Sequence, residues 1–176
     1  DEAAAWCTDA VGVACRLMHW CPESHRPMRA KYAGPLPTSG RHVTATDGAP
    51  LLLLGAASLD ALNHQLAAHG SPPLGLDRFR PNIVLATQTP HEEDRWARVS
   101  LGEVELGVGT PCPRCVVTTI DPATLERGVE PLRTLATYRR GPEGSVLFGV
   151  NATPAAAGSV SVGDELAVLA FKDTTP

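Results

Sequence analysis

Lysine is nearly absent from this sequence: only Lys31 and Lys172 occur among its 176 residues. An enzyme that uses pyridoxal phosphate holds this cofactor as a Schiff base on a lysine. Because Lys172 lies next to the carboxyl terminus, few positions could serve this purpose. We therefore expect no pyridoxal phosphate in this chain.

Long apolar runs are also missing. A membrane-spanning helix needs about 18 or more apolar residues, and the strongest run here covers only residues 50–57. The first residues, Asp1 and Glu2 followed by alanines, lack the basic flank and the apolar stretch of a secretory signal. These absences predict a soluble, cytoplasmic protein without a membrane partner.

Basic residues are fewer than acidic ones, 15 against 19, and the formal net charge is −4. Without a basic stripe, nucleic acid is a poor candidate partner. The sequence also lacks a Gly-x-Gly-x-x-Gly fingerprint, a phosphate loop with Gly-Lys-Ser/Thr and a Gly-x-Ser-x-Gly elbow. Nucleotide hydrolysis and serine hydrolase chemistry therefore have no support.

Cysteine occurs in an odd number that makes a poor disulfide framework, so we expect reduced thiols. The five cysteines are Cys7, Cys15, Cys21, Cys112 and Cys115.

The amino-terminal part of the chain predicts one helix and one strand before a long loop. Asp1 is placed to cap a helix that runs to about Ala10 and ends at Gly12. Residues 16–20 alternate in the manner of a half-buried strand. Residues 22–48, rich in Pro, Gly, Ser and Arg, predict a long irregular loop.

The middle of the chain predicts two buried strands, a helix and a hairpin. The strands fall at residues 51–54 and 82–87. Ser58 is placed to cap a helix with leucines at helical spacing, which ends at Gly70. Residues 96–109 alternate over two short runs and therefore predict a hairpin.

The remaining part predicts further strands at residues 116–120 and 145–150, strand residues at 160–169 with a turn at Gly163 and Asp164, and a helix at about residues 131–140. Many short strands with two or three short helices indicate an α+β protein built on a β-barrel of mostly antiparallel strands. The length favours one domain over residues 1–176.

The sharpest local feature is the pair Cys112 and Cys115, which encloses Pro113 and Arg114. A thiolate is both a nucleophile and a soft metal ligand, and the adjacent Arg114 favours its ionised form. By itself, a single C-x-x-C leaves three interpretations open: half of a zinc site, a redox pair, or ordinary packing.

Zinc needs four ligands, and only His19, Cys21 and His25 form another close cluster. A thioredoxin-like redox pair would need its cysteines to open a helix. Residues 116–120 are instead predicted to continue as a strand, which weakens the redox interpretation.

A second group of polar residues comprises Arg78, Arg80 and Asn82. Guanidinium groups bind phosphate or the edge of a heterocycle through several donors, and an Asn amide both donates and accepts hydrogen bonds. Ser58 and Asn63 lie on a different helix face from the leucines, so they could meet the same pocket. For each residue, a role as a strand-end charge, a helix cap or a surface amide is the alternative.

Together these residues form ordered motifs that resemble the MOSC domain family, and more narrowly the branch that contains the mitochondrial amidoxime-reducing component and its bacterial relatives. The resemblance extends back to residues 47–52 and 57–63 and covers nearly the whole chain. The six motifs are RFRPNIV at 78–84, EDRW at 93–96, PCPRC at 111–115, TTIDP at 118–122, PLRTL at 131–135 and VGD at 162–164.

The resemblance implies a β-barrel-based fold, a molybdenum cofactor (molybdopterin), and two-electron reduction of N-hydroxylated or N-oxide substrates. It gives the metal-ligating role and the catalytic role to Cys115, and leaves Cys112 at a variable structural position. Arg80 and Asn82 are implied to hold the pterin and phosphate, with Arg114 beside them.

Members of this family carry an additional amino-terminal barrel segment that this sequence lacks, so we expect the carboxy-terminal part of a longer architecture. The expected partners are a small N-oxygenated substrate, an electron-donor protein, and the missing segment or a second copy. The alternative function is a non-catalytic domain that carries the molybdenum cofactor or a persulfide on Cys115, as the sulfurase members suggest.

Overall fold

The computed structural model describes residues 1–21, 23–24, 26–39, 41–44 and 46–173. Its centre is one sheet of six strands: β1 (Leu51–Gly55), β2 (Ile83–Leu85), β3 (Trp96–Leu101), β4 (Val104–Arg114), β5 (Val146–Pro154) and β6 (Leu166–Phe171). The strand order is β2-β1-β5-β4-β3-β6. β1 and β2 run parallel, and all other neighbours run antiparallel. The predicted α+β fold on a curled, mostly antiparallel sheet is confirmed.

Four α-helices accompany the sheet in the described residues: α1 (Glu2–Val11), α2 (Ala30–Ala33), α3 (Ala56–Ala68) and α4 (Leu132–Leu135). Of these, α2 and α4 have only 4 residues each, so two helices of more than one turn remain. Across the described residues, none is long and apolar enough to cross a membrane.

The apolar core lies on both faces of the sheet. Leu53 and Leu54 have no exposed surface, and neighbouring strand residues point to opposite faces. On one face Leu53 packs with strand residues that include Val99, Leu106, Val108 and Val150. On the other face, Leu54 packs with residues of the helices and loops, namely Leu62, Leu66, Phe79, Leu135 and Phe148.

The amino-terminal helix is confirmed, but the strand predicted after it is wrong. Asp1 accepts a hydrogen bond from the backbone N–H of Ala3, and Gly12 ends α1 with a φ of 73°. Residues 16–20 are exposed and outside any strand. A strand needs a neighbour to satisfy its backbone, and none of the described strands pairs with this segment.

Several predicted elements have different ends. The strands predicted at residues 82–87 and 145–150 correspond to β2 and β5. Of the segment predicted at residues 160–169 with a turn at Gly163 and Asp164, only the part after the turn is a strand, β6, and residues 160–162 are not in a strand. The hairpin predicted at residues 96–109 is β3–β4, which turns at Gly102 with a φ of 54°.

Two predictions that involve hydroxyl side chains are wrong. Ser58 does not cap α3, which begins at Ala56 after Gly55. Residues 116–120 do not form a strand, because Val116–Thr119 is a 3₁₀ turn. The hydroxyls of Thr118 and Thr119 each donate to the carbonyl three residues earlier, a local bond that competes with a strand.

The loop predicted at residues 22–48 contains α2, which lies against the sheet. At Gly107 an added Cβ would lie 2.5 Å from the carbonyl oxygen of Ala33, and at Gly109 it would lie 2.5 Å from that of Tyr32. Glycine is therefore required at both positions of β4 for this close approach. Of the predicted loop, Pro22, His25, Gly40 and Ala45 lie outside the described residues.

A buried polar cluster fixes the start of α3. The Glu93 side chain has no exposed surface, and its Oε1 accepts hydrogen bonds from the Ser58 hydroxyl (2.8 Å) and the Gly55 N–H (3.2 Å). Burial raises the pKa of Glu93. The nearby His91 packs against Tyr138 and Phe148, and neither of its ring nitrogens has a hydrogen-bond partner in the described structure.

We predict that Gly109→Ala lowers the free energy of unfolding by about 1–3 kcal/mol, because the new methyl group must displace the backbone of α2. Gly128→Ala is the matched control, since its nearest non-neighbouring atom would lie at 3.7 Å. Urea denaturation should place the control within about 0.5 kcal/mol of the wild type. Equal midpoints for all three proteins would contradict the close packing of α2 on β4.

We also predict an acid-sensitive contribution from His91. Burial, and then the charge of Arg139, lower the pKa of His91 to about 4. A histidine with a depressed pKa contributes stability above its unfolded value of about 6.5 that is lost as the pH falls towards 4. His91→Phe should therefore lose less stability than the wild type between these pH values. The exposed His64→Phe is the control, and an unchanged slope in His91→Phe would contradict the prediction.

Candidate functional site around Cys115

Cys115 lies at the junction between β4 and the 3₁₀ turn Val116–Thr119. Its backbone is extended, with φ −107° and ψ 176°. Its carbonyl oxygen accepts the hydroxyl of Thr118 at 2.9 Å. The residue is exposed, and its thiol has no hydrogen-bond partner among the described residues. The junction thus presents a free thiol to solvent.

Cys112 points to the other face of the strand. The Arg114 Nη1 donates to the Cys112 sulfur at 3.2 Å, so these two side chains share a face and Cys115 lies on the opposite one. An extended segment of three residues separates its end Cα atoms by about 10 Å, whereas a disulfide needs less than about 7 Å. The backbone therefore disfavours a Cys112–Cys115 redox pair.

A zinc site is not supported by the geometry either. The described residues contain no group of three or more His, Cys, Asp or Glu side chains that could hold a metal ion. His19 and Cys21 are described, whereas His25 of the predicted cluster is not. Of the interpretations open for the C-x-x-C, a single exposed thiol beside a packed one fits the structure best.

Arg114 is engaged inside the protein. Besides its contact with Cys112, its Nη2 donates to the carbonyl oxygen of Phe79 at 2.8 Å, and its guanidinium lies 5.7 Å from the Phe79 ring centroid. The side chain thus connects the end of β4 to a loop 35 residues earlier in the chain. This connection could not be predicted from the sequence.

Arg78 makes a second connection between the same two regions. Its Nη2 lies 2.8 Å from the Asp121 carboxylate, and its Nη1 donates to the carbonyl oxygen of Thr118 at 3.4 Å. The backbone N–H groups of Ala123 and Thr124, and then Arg78, hold the pKa of Asp121 below its usual value. The predicted arginine group and the cysteine segment are therefore neighbours.

Arg80 follows directly and is exposed. Its φ is 52°, an uncommon conformation for a residue with a side chain. Its backbone N–H donates to Leu76 at 3.0 Å, and its guanidinium has no partner in the described part of the chain. Such a conformation is often retained at functional sites.

Asn82 has a structural role that its sequence context did not reveal. Its backbone N–H donates to the carbonyl oxygen of Leu52 at 2.9 Å, and its Oδ1 accepts the Leu52 N–H at 2.8 Å. The side chain thus extends the parallel pairing of β1 with β2. Because the Asn82 Oδ1 is engaged by Leu52, the amide nitrogen is the side-chain group with which this exposed residue can bind a ligand.

Ser58 and Asn63 are bound to protein groups. The Ser58 hydroxyl, which has no exposed surface, donates to Glu93 and accepts the His91 N–H at 2.8 Å. Both ends of the Asn63 amide pair with the backbone of Leu74. The structure does not bring these two side chains into contact with Cys115 or Arg80, and a fully buried hydroxyl cannot touch a ligand.

A cleft of about 340 Å³ lies beside this region. Arg78, Thr119 and Asp121 form one side of it, and Arg127 and Arg133 contribute further guanidinium groups. Arg133 is paired with Glu130 at 2.7 Å. The lining of the cleft is thus mixed: it carries charged groups of both signs beside apolar surface from Leu74 and Val129.

Similar proteins are known. A family model for the MOSC domain matches residues 40–167. The chain is 35% identical over 152 residues to mitochondrial amidoxime-reducing component 1 of Mus musculus, a match that covers 85% of this chain and 43% of the mouse protein. It is 34% identical over 177 residues to mitochondrial amidoxime reducing component 2 of Bos taurus, with 93% and 50% covered.

The molybdenum cofactor sulfurase of Danio rerio is 31% identical over 159 residues, which are 85% of this chain and 18% of that protein. The chain thus spans about half the length of the amidoxime-reducing relatives that it matches. Because the family model covers most of the chain and agrees with the curled sheet, this protein belongs to the MOSC domain family.

Proposed function

We propose that this chain binds a molybdenum cofactor through the thiolate of Cys115 and acts in the reduction of N-hydroxylated or N-oxide compounds. The observation that carries the proposal is the exposed, unpartnered thiol of Cys115 at a strand end that two arginines tie to the Arg80 loop. The names of the amidoxime-reducing relatives support the substrate class.

The available donors fit such a cofactor. A thiolate is a soft ligand of the kind that molybdenum accepts, and Cys115 offers one. An exposed guanidinium such as that of Arg80 binds phosphate through two parallel hydrogen bonds. The Asn82 amide nitrogen can donate to a pterin edge. When bound, the cofactor would supply a two-electron redox centre.

The residues of the chain would bind and orient the reacting groups. Cleavage of one N–O bond takes two electrons and two protons and releases water, so an electron-donor protein is a required partner. Fixing the cofactor between Cys115 and Arg80 would hold it in a single orientation towards the substrate. The cleft beside Thr119, which offers both charged and apolar surface, is a candidate approach for a small substrate.

A second candidate function is a carrier of the cofactor or of sulfur. It is favoured by the similarity to a molybdenum cofactor sulfurase and by the exposure of the Cys115 thiol, which a persulfide on this residue requires. Near-stoichiometric molybdenum in the purified protein, together with turnover of an N-hydroxylated compound, would favour the reductase, whereas molybdenum without turnover would favour a cofactor carrier. Extra sulfur on Cys115 without metal would favour the carrier.

The described residues expose several large apolar side chains. Exposed apolar side chains, among them Trp6, Leu17 and Phe171, would be covered by an additional barrel segment or a second copy of the chain. We propose such a partner, and we keep the cytoplasm as the predicted location. The relatives of Mus musculus and Bos taurus are named mitochondrial.

Cys115→Ser should abolish molybdenum binding, because it replaces a soft thiolate with a hard, largely protonated hydroxyl. Cys112→Ser is the matched control, with a cost of at most about 1–3 kcal/mol in stability and with metal retained. Elemental analysis of both variants and of the wild type provides the measurement. Equal loss of molybdenum in the two variants would remove Cys115 as the sole protein ligand.

Arg80→Ala should remove a charge-assisted contact worth about 1.5–3 kcal/mol and weaken cofactor retention about tenfold or more. Folding should survive, since the Arg80 side chain is exposed. Arg16→Ala, at another exposed arginine, is the control. Pterin content after dialysis gives the result, and an unchanged content in Arg80→Ala would contradict the assignment.

A further inference from the structure

The peptide group between Phe79 and Arg80 is held at both of its polar atoms. Its carbonyl oxygen accepts the Arg114 Nη2 at 2.8 Å, and its N–H donates to the carbonyl oxygen of Leu76 at 3.0 Å. With both ends bonded, the plane of this peptide cannot rotate freely. The angle φ of Arg80 is the rotation about its N–Cα bond, measured from this peptide plane, so the orientation of the plane helps to set φ.

Arg80 adopts a φ of 52°. For a residue with a Cβ this left-handed conformation is sterically disfavoured, and it persists only where the surrounding structure imposes it. Glycine would adopt it without strain, so the presence of arginine indicates that the side chain is needed at this position. The hydrogen bond from Arg114 to the Phe79 carbonyl oxygen is a constraint that can impose this φ on Arg80.

The Phe79 side chain, which precedes this peptide group, is packed in the apolar core. Phe79 is 1% exposed, and its ring lies 4.5 Å from that of Phe148 between centroids. Arg114 stacks on the same ring. The packed Phe79 ring therefore links the position of β4 to the backbone of Arg80.

Arg114 itself is poorly placed to bind a ligand on the Cys115 side. Its Nη1 and Nη2 are engaged by Cys112 and Phe79, and its Nε is buried. As the residue before Cys115 in an extended segment, it points to the opposite face of the strand. Through its hydrogen bond to the Phe79 carbonyl oxygen, Arg114 joins the segment of Cys115 to the segment of Arg80.

Building on the proposed function, we infer that Arg114 is a positioning residue that sets the conformation of Arg80 and does not bind the cofactor itself. The ligand class is an anionic, phosphate-bearing group recognised by the Arg80 guanidinium. A guanidinium on a fixed backbone loses less conformational entropy on binding, so Arg114 would raise the affinity through Arg80.

The conformational part can be measured on the cofactor-free 176-residue chain by NMR. The three-bond HN–Hα coupling of Arg80 reports its φ, and amide exchange reports its hydrogen bond to Leu76. Arg114→Met, which keeps a long apolar stem, should change the coupling and speed exchange of the Arg80 amide about tenfold or more. Arg114→Lys, with one donor left for Phe79, should restore part of the wild-type values.

Arg78→Met is the matched control, because it breaks the contacts with Thr118 and Asp121 but leaves the Phe79–Arg80 peptide bonded. Its Arg80 coupling should equal that of the wild type. The exchange of the buried Val150 amide monitors folding of every variant. An unchanged Arg80 coupling in Arg114→Met would overturn the inference.

A double-mutant cycle on molybdopterin retention tests the functional part. Arg114→Met should weaken retention about tenfold alone and should add nothing in the Arg80→Ala background. Additive losses would show that Arg114 binds the cofactor directly and would overturn the inference. No effect of Arg80→Ala alone would overturn the proposed role of Arg80, whereas the coupling constant would still decide the conformational part.

Discussion

Two arginine side chains, Arg78 and Arg114, connect the loop before β2 to the backbone around Cys115. Each reaches a carbonyl oxygen that lies far away in the sequence, and Arg78 adds an ion pair with Asp121. An arginine can do this because its guanidinium carries several donors in a fixed plane. The candidate site depends on these connections, since Cys115 and Arg80 belong to separate segments.

The core supports these connections. Phe79, between Arg78 and Arg80, packs into the apolar cluster that also contains Phe148 and Leu54. The Phe79 side chain is thus buried, while Arg78 is held by Thr118 and Asp121 and Arg80 is exposed. The same arrangement explains why a strained backbone at Arg80 is tolerated: burial of a phenylalanine stabilises the fold by about 1.5–3 kcal/mol, which offsets the cost of one left-handed residue.

Features with a local cause could be predicted from the sequence. The leucine run of β1, the helical spacing in α3 and the glycine turn between β3 and β4 each follow from neighbouring residues. Val116–Thr119 was mistaken for a strand because β-branched residues are typical of strands, whereas the bonds of two threonine hydroxyls decide its conformation. Ser58 has a capping residue's chemistry, but its partner Glu93 lies 35 residues away.

The residues of the candidate site also divide into those that could be predicted from the sequence and those whose contacts could not. The motifs identified Cys115, Arg80 and Asn82 through the resemblance to the MOSC family, and the family model supports that membership. The contacts of Arg114 with Phe79 and of Asn63 with Leu74 depend on the folded chain.

Protection of thiols from alkylation tests most directly whether Cys115 is the metal ligand. With molybdenum cofactor bound, Cys115 should become unreactive towards iodoacetamide while the exposed Cys15 reacts as before, and undiminished alkylation of Cys115 in the loaded protein would contradict its role as the metal ligand.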